Sequence, residues 1–193
     1  MSVLPAAEPA PRRATRRDAV RNDERVLDAA RSVLAERGPQ VSMEDIAARA
    51  GVGVGTIYRR FPGKDALLDA VAGLLVAEID HAADDALADP DPGEGLESFL
   101  MFVGTFTAKK RRYATELMDR VGDQRVGART TEKIASLTQA AVEAGALAPG
   151  TRGEDVKALV VALRGVVSST PPGEDETWRR FLHIHLTGLR SAR

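Results

Sequence analysis

Residues 41–68 read VSMEDIAARAGVGVGTIYRRFPGKDALL, and this stretch decides the architecture. Ser42 is a good helix N-cap. Asp45 follows three residues later in the capping-box position, where Glu or Gln is the usual residue. Ile46, Ala47 and Ala50 share one face of a short helix. Gly51-Val52-Gly53 breaks it, and Val54 to Phe61 makes a second short helix that Pro62-Gly63 ends. Two short helices joined by a glycine-bearing turn have helix-turn-helix geometry, in which the second helix can enter a DNA major groove. Ala47 must be small because the helices cross near it. Gly51 suits a left-handed backbone at the end of the first helix. Ile46, Val52 and Ile57 supply the apolar triangle that fixes the crossing.

Upstream, residues 1–17 are rich in Pro, Ala and Arg, lack periodicity and read as a disordered basic arm. Asp18 to Arg37 is helical: Val26, Leu27, Ala30, Val33 and Leu34 fall on one face, and Gly38-Pro39 stops it. Downstream, Lys64 opens a long helix with its stripe at Leu67, Leu68, Val71, Leu74, Leu75 and Ile79. The acidic loop Asp89-Pro90-Asp91-Pro92-Gly93 follows. Leu96 to Lys109 is apolar around most of its circumference, through Leu96, Phe99, Leu100, Phe102, Val103 and Phe106, so it is buried on more than one side. Lys109-Lys110-Arg111-Arg112 interrupts. Further helices are expected at Tyr113–Val121, Val126–Ala144, Glu154–Val167 and Asp175–Leu189. No segment alternates with period two between turn signals, so no sheet is expected. The reading is all-α, with about nine helices: a three-helix DNA-binding domain over 18–62 and a larger helical domain over 63–193.

The chain has 193 residues, 44% of them hydrophobic, and no cysteine. It is long enough to bury a core without staples and too apolar to be disordered. Disulfides and thiolate metal sites are excluded. No apolar run approaches the ~18–20 residues of a membrane span, and the N-terminus lacks the apolar core of a secretory signal, so a cytoplasmic protein is expected, on the nucleoid when bound to DNA. The net charge of −1 hides an asymmetry. Residues 1–64 carry 12 Lys and Arg against 8 Asp and Glu, and the remainder carries 15 against 20. A positive N-terminal third suits a polyanion. Gly51-Val52-Gly53-Val54-Gly55 lacks the spacing and preceding strand of a nucleotide loop. His183 and His185 lie two apart on a helix and do not face each other, so they make a poor metal pair. No nucleophile–base pair or paired-carboxylate signature stands out. No catalysis, cofactor or metal is expected.

Residues 41–68 resemble the DNA-binding domain of the TetR/AcrR family of bacterial transcriptional regulators, whose pattern runs roughly D-I-A-x-x-A-G-V-S-x-G-T-[IL]-Y-x-x-F-x-x-K-x-x-L. The chain matches at Asp45, Ile46, Ala47, Ala50, Gly51, Val52, Gly55, Thr56, Ile57, Tyr58, Phe61, Lys64 and Leu67. The match is dense and contiguous and covers about the first third. The remainder resembles the family in length, helical texture and the position of its final two helices. One departure is Gly53, where the family usually has Ser or Thr. Glycine costs only a few tenths of a kcal/mol as an N-cap relative to Ser but removes a hydroxyl that could touch a phosphate.

Roles follow from the chemistry of these positions. Ser42, Thr56, Tyr58 and Lys64 are candidates for phosphate contacts. Val54 and Gly55 allow close approach to base edges, with Val54 able to touch a thymine methyl. Arg59 is the best polar base reader, because Arg bidentate to guanine is the commonest specific contact. Arg60 is assigned to bases or backbone, and Arg12, Arg13, Arg16 and Arg17 to a minor groove. The resemblance implies a homodimer built on the last two helices as a four-helix bundle, with Val160, Leu163, Trp178, Phe181, Leu182, His185 and Leu189 as interface candidates. Trp178, Phe181, Leu182 and Leu189 are expected to lack another place to bury fully. It also implies a pocket for a small apolar or aromatic effector, with Phe99, Phe102, Val103, Phe106, Met118 and Leu137 as candidate lining. The implied function is regulation of transcription, with repression from a palindromic operator the expected sense. Two other classes stay open: a DNA-binding protein whose second domain only dimerises, and a helical enzyme on the same scaffold.

Overall fold

The computed structural model describes residues 12–113, Leu117 and residues 126–190, with side chains described over residues 21–113, Leu117 and residues 128–190. Eight helices are present among the described residues: α1 (Arg12–Arg37), α2 (Met43–Ala50), α3 (Val54–Arg60), α4 (Lys64–Leu87), α5 (Pro92–Lys110), α6 (Val126–Glu143), α7 (Gly153–Ser169) and α8 (Asp175–Leu189). The architecture is all-α, as expected. Of the expected helix Tyr113–Val121, only Tyr113 and Leu117 are described, both buried. Met118 lies outside the described residues.

Two starts differ from the sequence reading. α1 begins at Arg12, so residues 12–17 belong to a helix and not to the disordered basic arm that their sequence suggests. Their four arginines and Ala14 are good helix formers, and the lack of an apolar stripe concealed it. α5 begins at Pro92, inside what reads as a loop. Asp91 is its N-cap and accepts from the amides of Gly93 (2.8 Å) and Glu94 (3.2 Å). Proline suits the first helical turn, where its missing N–H costs nothing.

The helices enclose two cores. The first gathers Val26, Ala30, Val33 and Leu34 of α1, Ile46 and Ala47 of α2, Ile57 of α3, and Leu67, Leu68, Val71 and Leu75 of α4. It also takes Phe106 of α5, Tyr113 and Leu117, so the N-terminal helices are not closed by residues 18–62 alone. The second gathers Ala83 and Ala86 of α4, Leu96, Phe99, Leu100 and Val103 of α5, Ile134 and Leu137 of α6, Val156, Leu159, Leu163 and Val167 of α7, and Trp178, Leu182 and Leu186 of α8. α4 and α5 therefore run through both. Between α4 and α6, Lys133 reaches Asp80 and Asp84, each at 2.7 Å. That hydrogen bond holds the Asp80 carboxyl below its ordinary pKa despite its burial.

Three interface candidates face inward. Leu163, Trp178 and Leu182 are buried within their own chain. The indole lies against α5 at Gly104, where an added Cβ would sit 2.3 Å from the ring. Helical periodicity locates an apolar face, but it does not say whether that face meets α5 or a second chain. Val160, Phe181 and Leu189 are half-buried, and His185 is exposed, its Nδ1 within 2.8 Å of the Phe181 carbonyl. The outer face carries instead Val161, 60% exposed, and Ile184, 53% exposed. Ala158, Ala162, Ile184 and Gly188 line a groove between α7 and α8.

Gly104→Ala should lower stability by about 1–3 kcal/mol, the usual cost of overpacking. Trp178 is the sole tryptophan, so its fluorescence during chemical unfolding measures this directly. The lowered Asp80 pKa contributes stability that is full above the unfolded carboxyl value of about 4 and is lost as pH falls through the folded value. Asp80→Asn should flatten the acid limb of a stability–pH profile below about pH 4 and leave its shape near neutrality unchanged.

Candidate nucleic-acid interface

The start of α2 is built as its sequence predicts. The Ser42 hydroxyl accepts from the Asp45 amide (3.0 Å) and donates to its carboxylate (2.8 Å), while the Ser42 amide donates to the same carboxylate (3.2 Å). These bonds, with Arg37 at 2.9 Å, hold the Asp45 carboxyl below its ordinary pKa. The Ser42 hydroxyl is thus already engaged in the cap. Gly51 ends α2 at φ 68° and ψ 36°, the left-handed geometry that favours glycine. Gly53 caps α3 through its backbone alone: its carbonyl accepts from the Thr56 amide at 2.8 Å.

Which way α3 faces follows from Ile57. That side chain is 0% exposed in the N-terminal core, so the opposite face must look outward. Tyr58 is 48% exposed and Val54 37%, and Gly55, Arg59 and Arg60 are exposed beside them. Thr56 and Lys64 are half-buried, with Lys64 in the first turn of α4, where the helix N-terminus favours an anion. Ser42, Val54, Gly55, Thr56, Tyr58, Arg59 and Lys64 therefore belong to adjoining helix starts and one exposed helix.

Much of the basic surplus is spent inside the protein. Arg49 makes a bidentate pair with Glu36 (2.7 and 2.6 Å) and reaches Ser32 (2.9 Å), which lowers the Glu36 pKa. Arg25 donates to the Ala50 carbonyl at 3.1 Å, from α1 to the end of α2. Arg60 is held by Asp23 of α1 at 2.6 Å. Among the described residues Arg59 and Lys64 show no ion pair, which leaves them the available cations of this face. Asp23 escaped the sequence reading because its partner lies 37 positions away. No local periodicity signals such a pair.

The pocket candidates divide between the cores. Phe99, Val103 and Leu137 sit in the second, Phe106 in the first, and half-buried Phe102 packs against the first, its ring centroid 5.6 Å from that of Phe106. Among the described residues no cluster of three or more His, Asp or Glu converges as a metal site, and no helix is long and apolar enough to cross a membrane.

An exposed helix braced by a short capped partner, outside an all-helical second core, defines a helix-turn-helix DNA-binding regulator. Comparison with known proteins agrees. Residues 26–71 match the family described as bacterial regulatory proteins, tetR family. Residues 91–191 match the transcriptional regulator SbtR-like, C-terminal domain. Over 98 residues the chain is 35% identical to the HTH-type transcriptional repressor KstR of Mycobacterium tuberculosis, covering 50% of this chain and 44% of that protein. The aligned stretch thus spans less than half of the repressor's length. The TetR transcription regulatory protein from Mycobacterium vanbaalenii is 31% identical, with a TM-score of 0.67, over 92% of this chain and 99% of that one. The TetR transcriptional regulator SCO0520 from Streptomyces coelicolor is 27% identical, with a TM-score of 0.69, over 89% and 99%. The chain belongs to the tetR family of bacterial regulatory proteins.

Asp23→Asn should release Arg60 and remove a negative charge beside it. Affinity for random duplex DNA should rise, and the slope of log K against log salt should steepen by up to about one phosphate contact. Filter-binding titrations over a salt series check this.

Proposed function

We propose that this chain is a homodimeric repressor that reads a palindromic operator with α3 and leaves it when a small apolar or aromatic molecule binds the C-terminal domain. The observation that carries the DNA-reading part is the outward face of α3, with Tyr58 and Arg59 exposed opposite fully buried Ile57. The tetR-family match and the similarity to a protein named as a repressor support the sense of the regulation. In this reading Lys64 and Tyr58 hold phosphates, Thr56 adds a further phosphate contact, and Val54, Gly55 and Arg59 meet base edges. Ser42 contributes through the cap that positions α2, and Arg60 joins the interface if DNA displaces Asp23. The protein acts by binding and carries out no chemistry.

A dimer suits the outer face of α7 and α8. Val161 and Ile184 are large apolar side chains left exposed, and Ile184 lines a groove with Ala158, Leu159, Ala162, Gly188 and Leu189. Packing that face on its two-fold copy would bury them as a four-helix bundle and present two recognition helices to two half-sites. Val160, Phe181, His185 and Leu189 border it, and Leu163, Trp178 and Leu182 support it from beneath. For the effector, the candidates are Phe99, Val103 and Leu137 of the second core and Phe102 and Phe106 at the first. A molecule binding there releases DNA only if it prefers the DNA-incompatible state, since equal affinity for both shifts nothing.

Selection of bound sequences from a random duplex library tests the reading: a palindromic consensus is expected, and no enrichment overturns it. Arg59→Ala should relax preference at one base pair in each half-site, at a cost of ~1–3 kcal/mol for a bidentate contact. Lys64→Ala should weaken operator and random DNA alike. A changed consensus in that variant would move Lys64 from phosphate to base. Ile184→Arg should yield folded monomers in light scattering, with operator binding reduced to that of a single half-site, and a wild-type-sized dimer would place the interface elsewhere.

A further inference from the structure

The basic run at the end of α5 has no role in the reading above, yet its side chains go in three directions. Lys110 pairs with Glu78 of α4, and Glu78 also pairs with Arg31 of α1. Lys110 lies 3.9 Å above the ring of Phe106, itself part of the N-terminal core. Arg111 donates to the carbonyl of Thr170, the residue that caps the end of α7, and its Nε reaches the Ala108 carbonyl at 3.3 Å. Arg112 donates to the carbonyl of Glu36 in the last turn of α1, at 2.6 Å. Tyr113, next in the chain, is buried in the N-terminal core.

We infer that this corner, Lys110–Tyr113, is a positioning device that fastens the DNA-reading helices at a set orientation to α7. Its two ends differ in kind. Arg112 and the Lys110–Glu78–Arg31 trio hold α1, which carries α2 through the Arg25 and Arg49 bonds. Arg111 holds α7, whose outer face is the proposed dimer surface. The inference rests on the DNA-reading dimer only for its consequence, because the fastening itself lies within one chain. The trio is partly buried: burial pushes the Lys110 pKa down, and Glu78 only partly restores it. Arg111 and Arg112 act in series between α7 and α1. Arg111 is the α7 end of the connection; once it is cut, neither Arg112 nor the trio leads to α7, so cutting Arg112 as well adds little.

The chain has no cysteine, so labels can be placed at will. Nitroxides at Ala48→Cys on α2 and Ser136→Cys on α6, both exposed, report the distance between the reading helices and the second core. The full-length protein is measured with excess unlabelled chain, so the distance is within one molecule. Glu78→Gln, Arg111→Ala and Arg112→Ala should each broaden that distance distribution. Each should weaken the selected operator about 2- to 30-fold with the base preference unchanged. The double variant Arg111→Ala/Arg112→Ala should lose clearly less than the product of the two single losses, whereas independent contacts multiply. Glu78→Gln keeps size and shape but leaves Lys110 and Arg31 without their anion, so circular dichroism checks that each variant is folded, and the two arginine variants test the fastening without unpairing the trio. An unchanged distribution in folded variants, or fully multiplicative losses, overturns the inference. If the wild type selects no operator, the DNA reading fails, and the distance distributions alone still decide this proposal.

Discussion

Two helices pass through both cores, and the remaining arrangement depends on this. α4 is 24 residues long, about 36 Å at ~1.5 Å per residue. Its first turns bury Leu67, Leu68, Val71 and Leu75 with the DNA-reading helices, and its far end buries Ala83 and Ala86 with α5. α5 runs through the same two cores, from Leu96 in the second to Phe106 in the first. A rod whose ends are packed in different cores cannot shift at one end without disturbing the other, because interiors are close-packed and deform little. The orientation of α3 is therefore set by the second core as well as by its own.

Polar contacts add direction to that packing. Arg25, Arg37 and Arg49 tie α2 to α1, and Arg60 ties α3 to α1. Most of these pairs are exposed, so each contributes little alone. Together they tie both ends of α2 and the end of α3 to α1. The consequence for recognition is that the positive charge of the N-terminal third is not all available to DNA. Among the described residues Arg59 and Lys64 are not taken up in ion pairs of this kind.

The second domain shows how one apolar surplus serves two purposes. α7 and α8 carry hydrophobic residues on several faces. Leu163, Trp178 and Leu182 turn into the chain's own core, and Gly104 makes room for the indole. Val161 and Ile184 remain outside. In the proposed dimer these two residues would be covered by the second copy, so the excess would be split between folding and association.

The helix-turn-helix was legible in the sequence because its determinants are local. Ser42 and Asp45 sit one turn apart, Gly51 lacks the Cβ that a left-handed backbone disfavours, and Ile57 has a 3.6-residue period around it. The all-helical class and most helix bounds followed from the same periodicity. The start of α5 was misplaced because Asp-Pro reads equally as loop or as helix opening until the amides of Gly93 and Glu94 are seen to need Asp91. Only the tertiary structure decided which apolar face of α8 is inward, which arginine is taken by Asp23, and that Lys110, Arg111 and Arg112 reach three different helices. Those facts join residues as many as 76 positions apart. Such distances leave no period in the sequence, and the partner is set by how the cores pack.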